Sequence, residues 1–261
     1  MSPISYSFVI PAYNEANRIS ATLASIAALS SSQRWQSEII VADDGSTDNT
    51  AEIAQAFSSP QCPVFVHRLP HRGKGHAIRQ GVIASRGEII VLCDADLHDS
   101  VAEVLSLIEV LGHGVEIAIG SRWLLGATTA CTQPLFRRLS SRCYNLVASH
   151  ILDLPFKDTQ CGLKTLTRKA ADQVFPLLNL NGWGYDPEMI HVAVALGLRI
   201  EEIGLVIPHD YRESHFRPVS DGLTAFSELL KIRWQDMRGS YGNRHLRSRL
   251  VPRARLSRSS F

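Results

Sequence analysis

The stretch VLCDADLHDS, residues 91–100, drives an apolar run into two aspartates one residue apart, Asp94 and Asp96. Where a chain turns out of a strand it no longer sends alternate side chains to opposite faces. Both carboxylates can then serve one divalent cation, directly or through water; without a cation they repel. Magnesium and manganese suit such a pair, because they take few protein oxygens and draw the rest from water and substrate phosphates. A DxD also occurs as a solvated turn, so the pair gains meaning only from its neighbours.

Three further clusters supply candidates. VADDGSTD holds Asp43, Asp44 and Asp48. An Asp-Gly turn and a helix cap at Ser46 or Asp48 account for it structurally, while adjacent aspartates can also accept hydrogen bonds from a base or ribose. PAYNE puts Glu15 just past a strand, where it caps the next helix or reaches a ribose. HRGKGHAIRQG, residues 71–81, lacks Walker spacing because Gly75 follows Lys74. Its glycines let backbone approach a ligand, and Arg72 and Lys74 put positive charge near a helix start, which suits phosphate or is simply an exposed basic helix start.

These clusters sit at the ends of apolar runs at 7–13, 38–46, 63–69, 88–96 and 115–122. Helix-like spacings separate the runs, as in Ile19, Leu23, Ile26 and Leu29, or Val101, Val104, Leu105 and Ile108. Strands alternating with helices predict a mostly parallel sheet covered on both faces. In such sheets ligands bind beyond the carboxyl ends of the strands, so the polar ends are expected on one rim. Beyond residue 123 the alternation weakens. Residues 135–152 read as an amphipathic helix with a basic face, helices are expected near 168–178 and up to 197, and 219–237 forms a last helix with Leu223, Phe226, Leu229, Leu230 and Trp234 in an apolar stripe.

The 261 residues suffice for a sizeable core, and 45% apolar with 20% charged residues excludes wholesale disorder. Five scattered cysteines without CxxC spacing fit a reducing compartment. No signal-peptide order and no apolar run of about 18–20 residues is found, so a cytoplasmic location is expected. From Lys231 onward nine lysines and arginines stand against Asp236 alone, which leaves an acidic body in a chain of net charge +2. An acidic body argues against a nucleic-acid-binding protein, and PAYNE stands where a nucleotidyltransferase would need a glycine-rich phosphate loop.

The order PAYNE, VADDGSTD, RGKGHAIRQG, CDADL and GSR resembles the family 2 inverting nucleotide-sugar glycosyltransferases, over essentially residues 5–238. FRRLSSRCYNLVASHIL, DTQCGLK (158–164), WGYDPEM (183–189) and LLKIRW (229–234) resemble the branch that glycosylates polyprenyl phosphates, the dolichyl-phosphate β-glucosyltransferases among them. The resemblance implies a GT-A, Rossmann-like α/β domain over 1–218, an amphipathic C-terminal helix at 219–240 and a basic, disordered tail at 241–261. It implies that Pro11, Tyr13, Glu15, Asp43, Asp44, Lys74, Asp94 and Ala95 meet the donor nucleotide. Asp94 and Asp96 would hold Mg2+ or Mn2+, with His98 where mannosyl-transferring relatives carry a glutamine ligand. Arg122, Asp158, Asp186 and Glu188 are the candidate catalytic and sugar-positioning residues.

An inverting transfer needs an activated nucleophile opposite the leaving group. A sugar hydroxyl requires a general base, for which Asp186 or Glu188 would serve; a lipid phosphate is already ionised and requires positioning. Arg122, Arg137, Arg138, Ser141 and Arg142 supply an acceptor-phosphate cluster, since guanidinium pairs bidentately with phosphate; Arg137 and Arg138 also suit a plain solvated helix face. The expected activity is metal-dependent transfer of a hexose, glucose from UDP-glucose, to a polyprenyl monophosphate. GDP-mannose as donor and a saccharide hydroxyl as acceptor are the alternatives. The final helix and basic tail either lie on an anionic cytoplasmic leaflet, making the protein peripheral, or the helix packs on the core and the tail is solvated.

Overall fold

The computed structural model describes residues 5–124, 135–206 and 220–241, excepting the side chains of 135–139 and 220–223. Its strands are β1 (Tyr6–Ala12), β2 (Ser37–Asp43), β3 (Val64–Arg68), β4 (Ile89–Cys93), β5 (Ile117–Ser121), β6 (Leu163–Thr167) and β7 (Ile200–Gly204). Helices α1 (Ile19–Ser32), α2 (Thr50–Ala56), α3 (Lys74–Ala84) and α4 (Val104–Leu111) follow the first four strands at their turns. The second half adds α5 (Leu135–Leu152), α6 (Arg168–Val174), α7 (Tyr185–Ala195) and α8 (Ser220–Met237).

One sheet runs in the order β3-β2-β1-β4-β6-β5-β7. β6 is antiparallel to both neighbours, and every other pairing is parallel. Period-two alternation sorts the strand residues between two cores. Phe8, Ile10 and Ala12 of β1 face a cluster with α1, α2 and α4. Val9 faces the other cluster, built with α3, α5, α6, α7 and α8. Pro11 is tolerated in a central strand because β4 pairs only with Tyr6–Val9, so no ladder to β4 is interrupted there.

The mostly parallel sheet matches the expectation, but β6 and β7 depart from the apolar runs that mark the first five strands. LKTLT buries Lys164 and IEEIG buries Glu202, and each has charged or amide partners that apolar patterning does not register. α8 packs on the core along one face. Ala225, Leu229 and Ile232 are buried, and Tyr241 beyond its end is buried in the same core. The expected tail lies, from residue 242 on, outside the described residues. No helix among the described residues is long and apolar enough to cross a membrane.

Adjacent leucines on α8 separate its two faces. Leu229→Ala, at a fully buried position, is expected to lower stability by about 2–5 kcal/mol, whereas Leu230→Ala, half exposed, should stay within about 0.5 kcal/mol; urea unfolding of the two variants measures the contrast.

Candidate active site

The carboxyl ends of β1, β2 and β4 do meet on one rim. Asp94 and Asp96 follow β4, and the ammonium of Lys74, at the first residue of α3, lies 2.7 Å from Asp94 Oδ1 and 2.8 Å from Oδ2. Burial opposes the charge of Lys74, but Asp94, Asp186 and Asp96 outweigh it and raise its pKa, so the side chain stays an ammonium. Gly162, before β6, makes room for the pair: a Cβ there would stand 2.7 Å from Cγ of Asp94. The carbonyl of Ala95 accepts from Thr22 Oγ1 at 2.7 Å, tying the Asp-Ala-Asp turn to α1.

Glu15 is bonded by Arg18 Nε at 2.8 Å, and Arg18 also comes within 3.8 Å of Asp96. Burial, opposed by Arg18 and reinforced by Asp96 and Asp94, pushes Glu15 up to about 7. Asp44 is almost fully buried and accepts from the amides of Arg72 (2.9 Å) and Gly73 (2.8 Å), with His71 Nδ1 at 2.8 Å. It therefore fixes the glycine loop, whose Gly73 adopts φ 108, a conformation open to glycine. Asp43 accepts the Ser46 amide at 3.1 Å. Tyr13 stacks on His71 with ring centroids 4.2 Å apart.

On the other side of β4, Arg122 and Asp158 prove to be each other's partners. The Arg122 amide, Nε and Nη2 donate to the Asp158 carboxylate at 3.0, 2.8 and 3.0 Å. Burial alone would raise the pKa of Asp158, but the charge and hydrogen bonds of Arg122 hold it below the usual carboxylate range. Trp123 links this pair to α5, its ring centroid lying 5.8 Å from the guanidinium carbon of Arg122 and 4.7 Å from that of Arg142. Ser141 precedes Arg142 on α5, and its carbonyl accepts from Asn145 at 3.1 Å. The side chains of Arg137 and Arg138 are outside the described residues.

Glu188 and His98 each have partners of their own in the structure. Glu188 is fully buried and accepts from the Asn179 amide (3.0 Å), the Leu180 amide (2.9 Å) and Tyr241 (2.7 Å). It is two residues past Asp186 on α7, so the helical turn carries it away from the rim into the core. His98 opens a short 3-10 turn and sits 3.2 Å from Asp99; among the described residues no three histidine, cysteine or acidic groups converge on a point that could hold a metal. Asp94 and Asp96 still fit a hard divalent cation. Their side chains are 27% and 40% exposed, and paired carboxylates are the donors that magnesium and manganese take, though both oxygens of Asp94 are here engaged by Lys74.

Several positioning residues escape a reading by motif. Asn14, at φ 54, donates its amide to Ser46 and accepts from the Thr47 amide at 2.8 Å, while the Glu15 amide donates to Thr50 at 2.8 Å, so the β1 and β2 loops are stitched together. Glu202 on β7 accepts from the amides of Lys157 (3.0 Å) and Asp158 (2.8 Å), and Asn145 accepts from Thr159 at 2.8 Å. Lys164, buried in β6, donates to Asp186 and to the carbonyl of Cys161. Only the unusual placing of a lysine and an acidic pair between apolar residues hinted at Lys164 and Glu202.

A sheet of this order, with a carboxylate pair beyond β4 and a glycine loop opposite it, is that of a GT-A glycosyltransferase. Glucosyl-3-phosphoglycerate synthase of Mycobacterium tuberculosis, in a complex with Mn2+, UDP and glucosyl-3-phosphoglycerate, superposes on it with a TM-score of 0.65 over 88% of this chain and 80% of that one. At 22% identity that likeness speaks for the fold. Residues 7–175 match Glycosyl transferase family 2, and the chain belongs to that family as a glycosyltransferase. Dolichyl-phosphate beta-glucosyltransferase ALG5C of Trichomonas vaginalis is 35% identical over 244 residues, 88% of this chain and 69% of its own length. The human dolichyl-phosphate beta-glucosyltransferase is 32% identical over 252 residues, 90% of this chain and 76% of its own.

The Arg122–Asp158 pair is testable through stability. Arg122→Gln leaves a buried carboxylate without its cation and is expected to lower stability by about 3–5 kcal/mol. Asp158 is held below its unfolded value of about 3.9, so its contribution is complete above that value and is lost as pH falls through the folded one. The stability gap between wild type and Asp158→Asn should therefore stay constant from neutral pH down to about 4 and close only in stronger acid, as read by denaturant unfolding across pH.

Proposed function

We propose that this glycosyltransferase moves a hexose, glucose from UDP-glucose, onto a polyprenyl or dolichyl monophosphate with inversion, using Mg2+ or Mn2+. The observation that carries the reading is that the candidate bases among the described residues, Asp158, Asp186 and Glu188, are already held. Arg122 grips Asp158, Lys164 grips Asp186, and two amides and a tyrosine grip Glu188. A general base must stand free to receive the acceptor's proton, whereas Asp158 and Asp186 are each occupied by a fixed cation and Glu188 is turned into the core. A phosphate monoester arrives as an anion, its second pKa being about 6, and asks for orientation alone. Glu15, the site carboxyl pushed up to about 7, stands on the β1 loop, which the family resemblance gives to the donor. The relatives named dolichyl-phosphate beta-glucosyltransferase support the same sugar and acceptor.

In this reading Tyr13, Asp43 and the loop fixed by Asp44 receive the nucleoside, and Lys74 presents a fixed ammonium toward the diphosphate. Arg142, with Arg137 and Arg138 on the same helix, orients the acceptor phosphate. Arg122 acts by holding Asp158 and, through Trp123, Arg142. Asp94 and Asp96 would hold the divalent cation, which when bound supplies Lewis-acid neutralisation of the leaving diphosphate. The protein works as a peripheral enzyme at the cytoplasmic face of a membrane, residues 219–240 being the segment that meets it.

Transfer of radiolabel from UDP- and GDP-sugars to a short polyprenyl phosphate tests this directly. Label from UDP-glucose is expected in the lipid only with Mg2+ or Mn2+, and Asp96→Ala should reduce it by about 10²-fold or more. The rate should fall below about pH 6 as the acceptor phosphate protonates. Label from GDP-mannose would replace the donor, and label only on added saccharide would overturn the acceptor and return the search to an enzyme base.

A further inference from the structure

Each residue of an α-helix turns the chain by about 100°, which divides α8 sharply. Ala225, Leu229, Ile232 and Asp236 form the inner face, each no more than 2% exposed. Phe226, Leu230, Trp234 and Met237 form a stripe on the outside, 44% to 58% exposed. Four large apolar side chains in one line on the surface are a contiguous patch rather than isolated exposures.

Charge is distributed around that stripe with one sign. Arg233 borders one edge, Lys231 and Arg238 the other, and the Arg238 guanidinium lies 3.7 Å from the Trp234 ring centroid. Both carboxylates among the described side chains of the helix are turned inward. Glu228 accepts the Gly184 amide at 2.7 Å, and Asp236 is buried with His191 and Arg233 beside it. On the adjoining helix α5, Leu146 is 72% exposed and lies one turn beyond Arg142, on the same face.

We infer that α8 docks the protein on an anionic phospholipid bilayer, lying in the interface plane with Phe226, Leu230, Trp234 and Met237 in the boundary between headgroups and acyl chains. Lys231 and Arg238 flank the stripe where their stems reach outward to lipid phosphates, while Arg233 at the other edge is paired with Asp236. Tryptophan at the centre of the stripe suits the same boundary, apolar on its body and polar at its N–H. An apolar stripe rimmed by cations, with its acids facing the core, is complementary to a negatively charged lipid surface, and such binding adds buried apolar area to electrostatic attraction. The inference deepens the lipid-phosphate reading, because Arg142 and Leu146 on α5 would give an acceptor a polar and an apolar contact one helical turn apart.

The test uses the full chain and sedimentation with vesicles, either pure phosphatidylcholine or phosphatidylcholine mixed with phosphatidylserine. Wild type is expected to bind the mixed vesicles, and to lose that binding as salt rises. Leu230→Ser with Trp234→Ser should weaken it at least about tenfold, and Lys231→Gln with Arg238→Gln by about twenty-fold. Both pairs lie on the surface, and circular dichroism checks that they fold. Transfer to a short, water-soluble acceptor should be unchanged in both, while transfer to a long-chain acceptor embedded in vesicles falls with binding. Absence of wild-type binding, or binding indifferent to both pairs, overturns the inference; so does a dimer that the serine variants dissociate, which would assign the face to a second copy. Vesicle binding without transfer to any lipid phosphate would keep the docking face and sink the acceptor reading, and transfer to the short acceptor without vesicle binding would do the reverse.

Discussion

The rim of the sheet concentrates Asp94, Asp96 and Asp186, and the structure can do so only because ammonium groups stand among them. Lys74 reaches both oxygens of Asp94 and feels Asp186 and Asp96, while Lys164 binds Asp186 from within β6. Like charges at this separation would otherwise drive one another to protonate. Breaking a buried pair is far more damaging than never having made it, so each member fixes the next, and the strands that carry them have little freedom to shift. Lys164 further ties Asp186 to the carbonyl of Cys161, one residue before the glycine that gives Asp94 its room.

Around that lattice the loops are held by short polar side chains. Ser46, Thr47 and Thr50 bond the loop after β1, Asp44 gathers the glycine loop, and Glu202 with Asn145 gathers residues 157–159. Each of these bonds satisfies a backbone amide of a loop, where no ladder or helix partner is available. The loops can thus carry chemistry while standing outside regular structure.

The first half of the fold was legible because its strands are apolar runs that end in turn residues, and both patterns follow from burial on two faces. The strand-end rule places Asp43, Asp44, Asp94 and Asp96 on one rim, and Lys74 joins them there. What escaped was pairing. Arg122 and Asp158 stand 36 residues apart in the sequence, and only the fold makes them partners. Glu188 and Asp186 look alike in sequence, yet one turn phase on α7 sends the first to Tyr241 and the core and the second to Lys164. β6 and β7 were hidden for the same reason, since a buried lysine or glutamate is stable only through partners that lie far away along the chain.

α8 joins these two scales. Its inner face completes the core, and Glu228 takes the amide of Gly184, the residue before α7, two positions ahead of Asp186. The same carboxylate faces Gly182 and Gly184 so closely that a Cβ at either would strike it, which explains glycines on both sides of Trp183. Trp183 in turn lies 5.3 Å from the ammonium of Lys74, a cation–π contact in a partly desolvated setting. A helix at the far end of the chain therefore sets the start of α7, and with it the position of Asp186 and of an aromatic wall beside Lys74. The outward stripe of that helix is free to differ from its inner face because core packing and the glycine turn already fix where it lies.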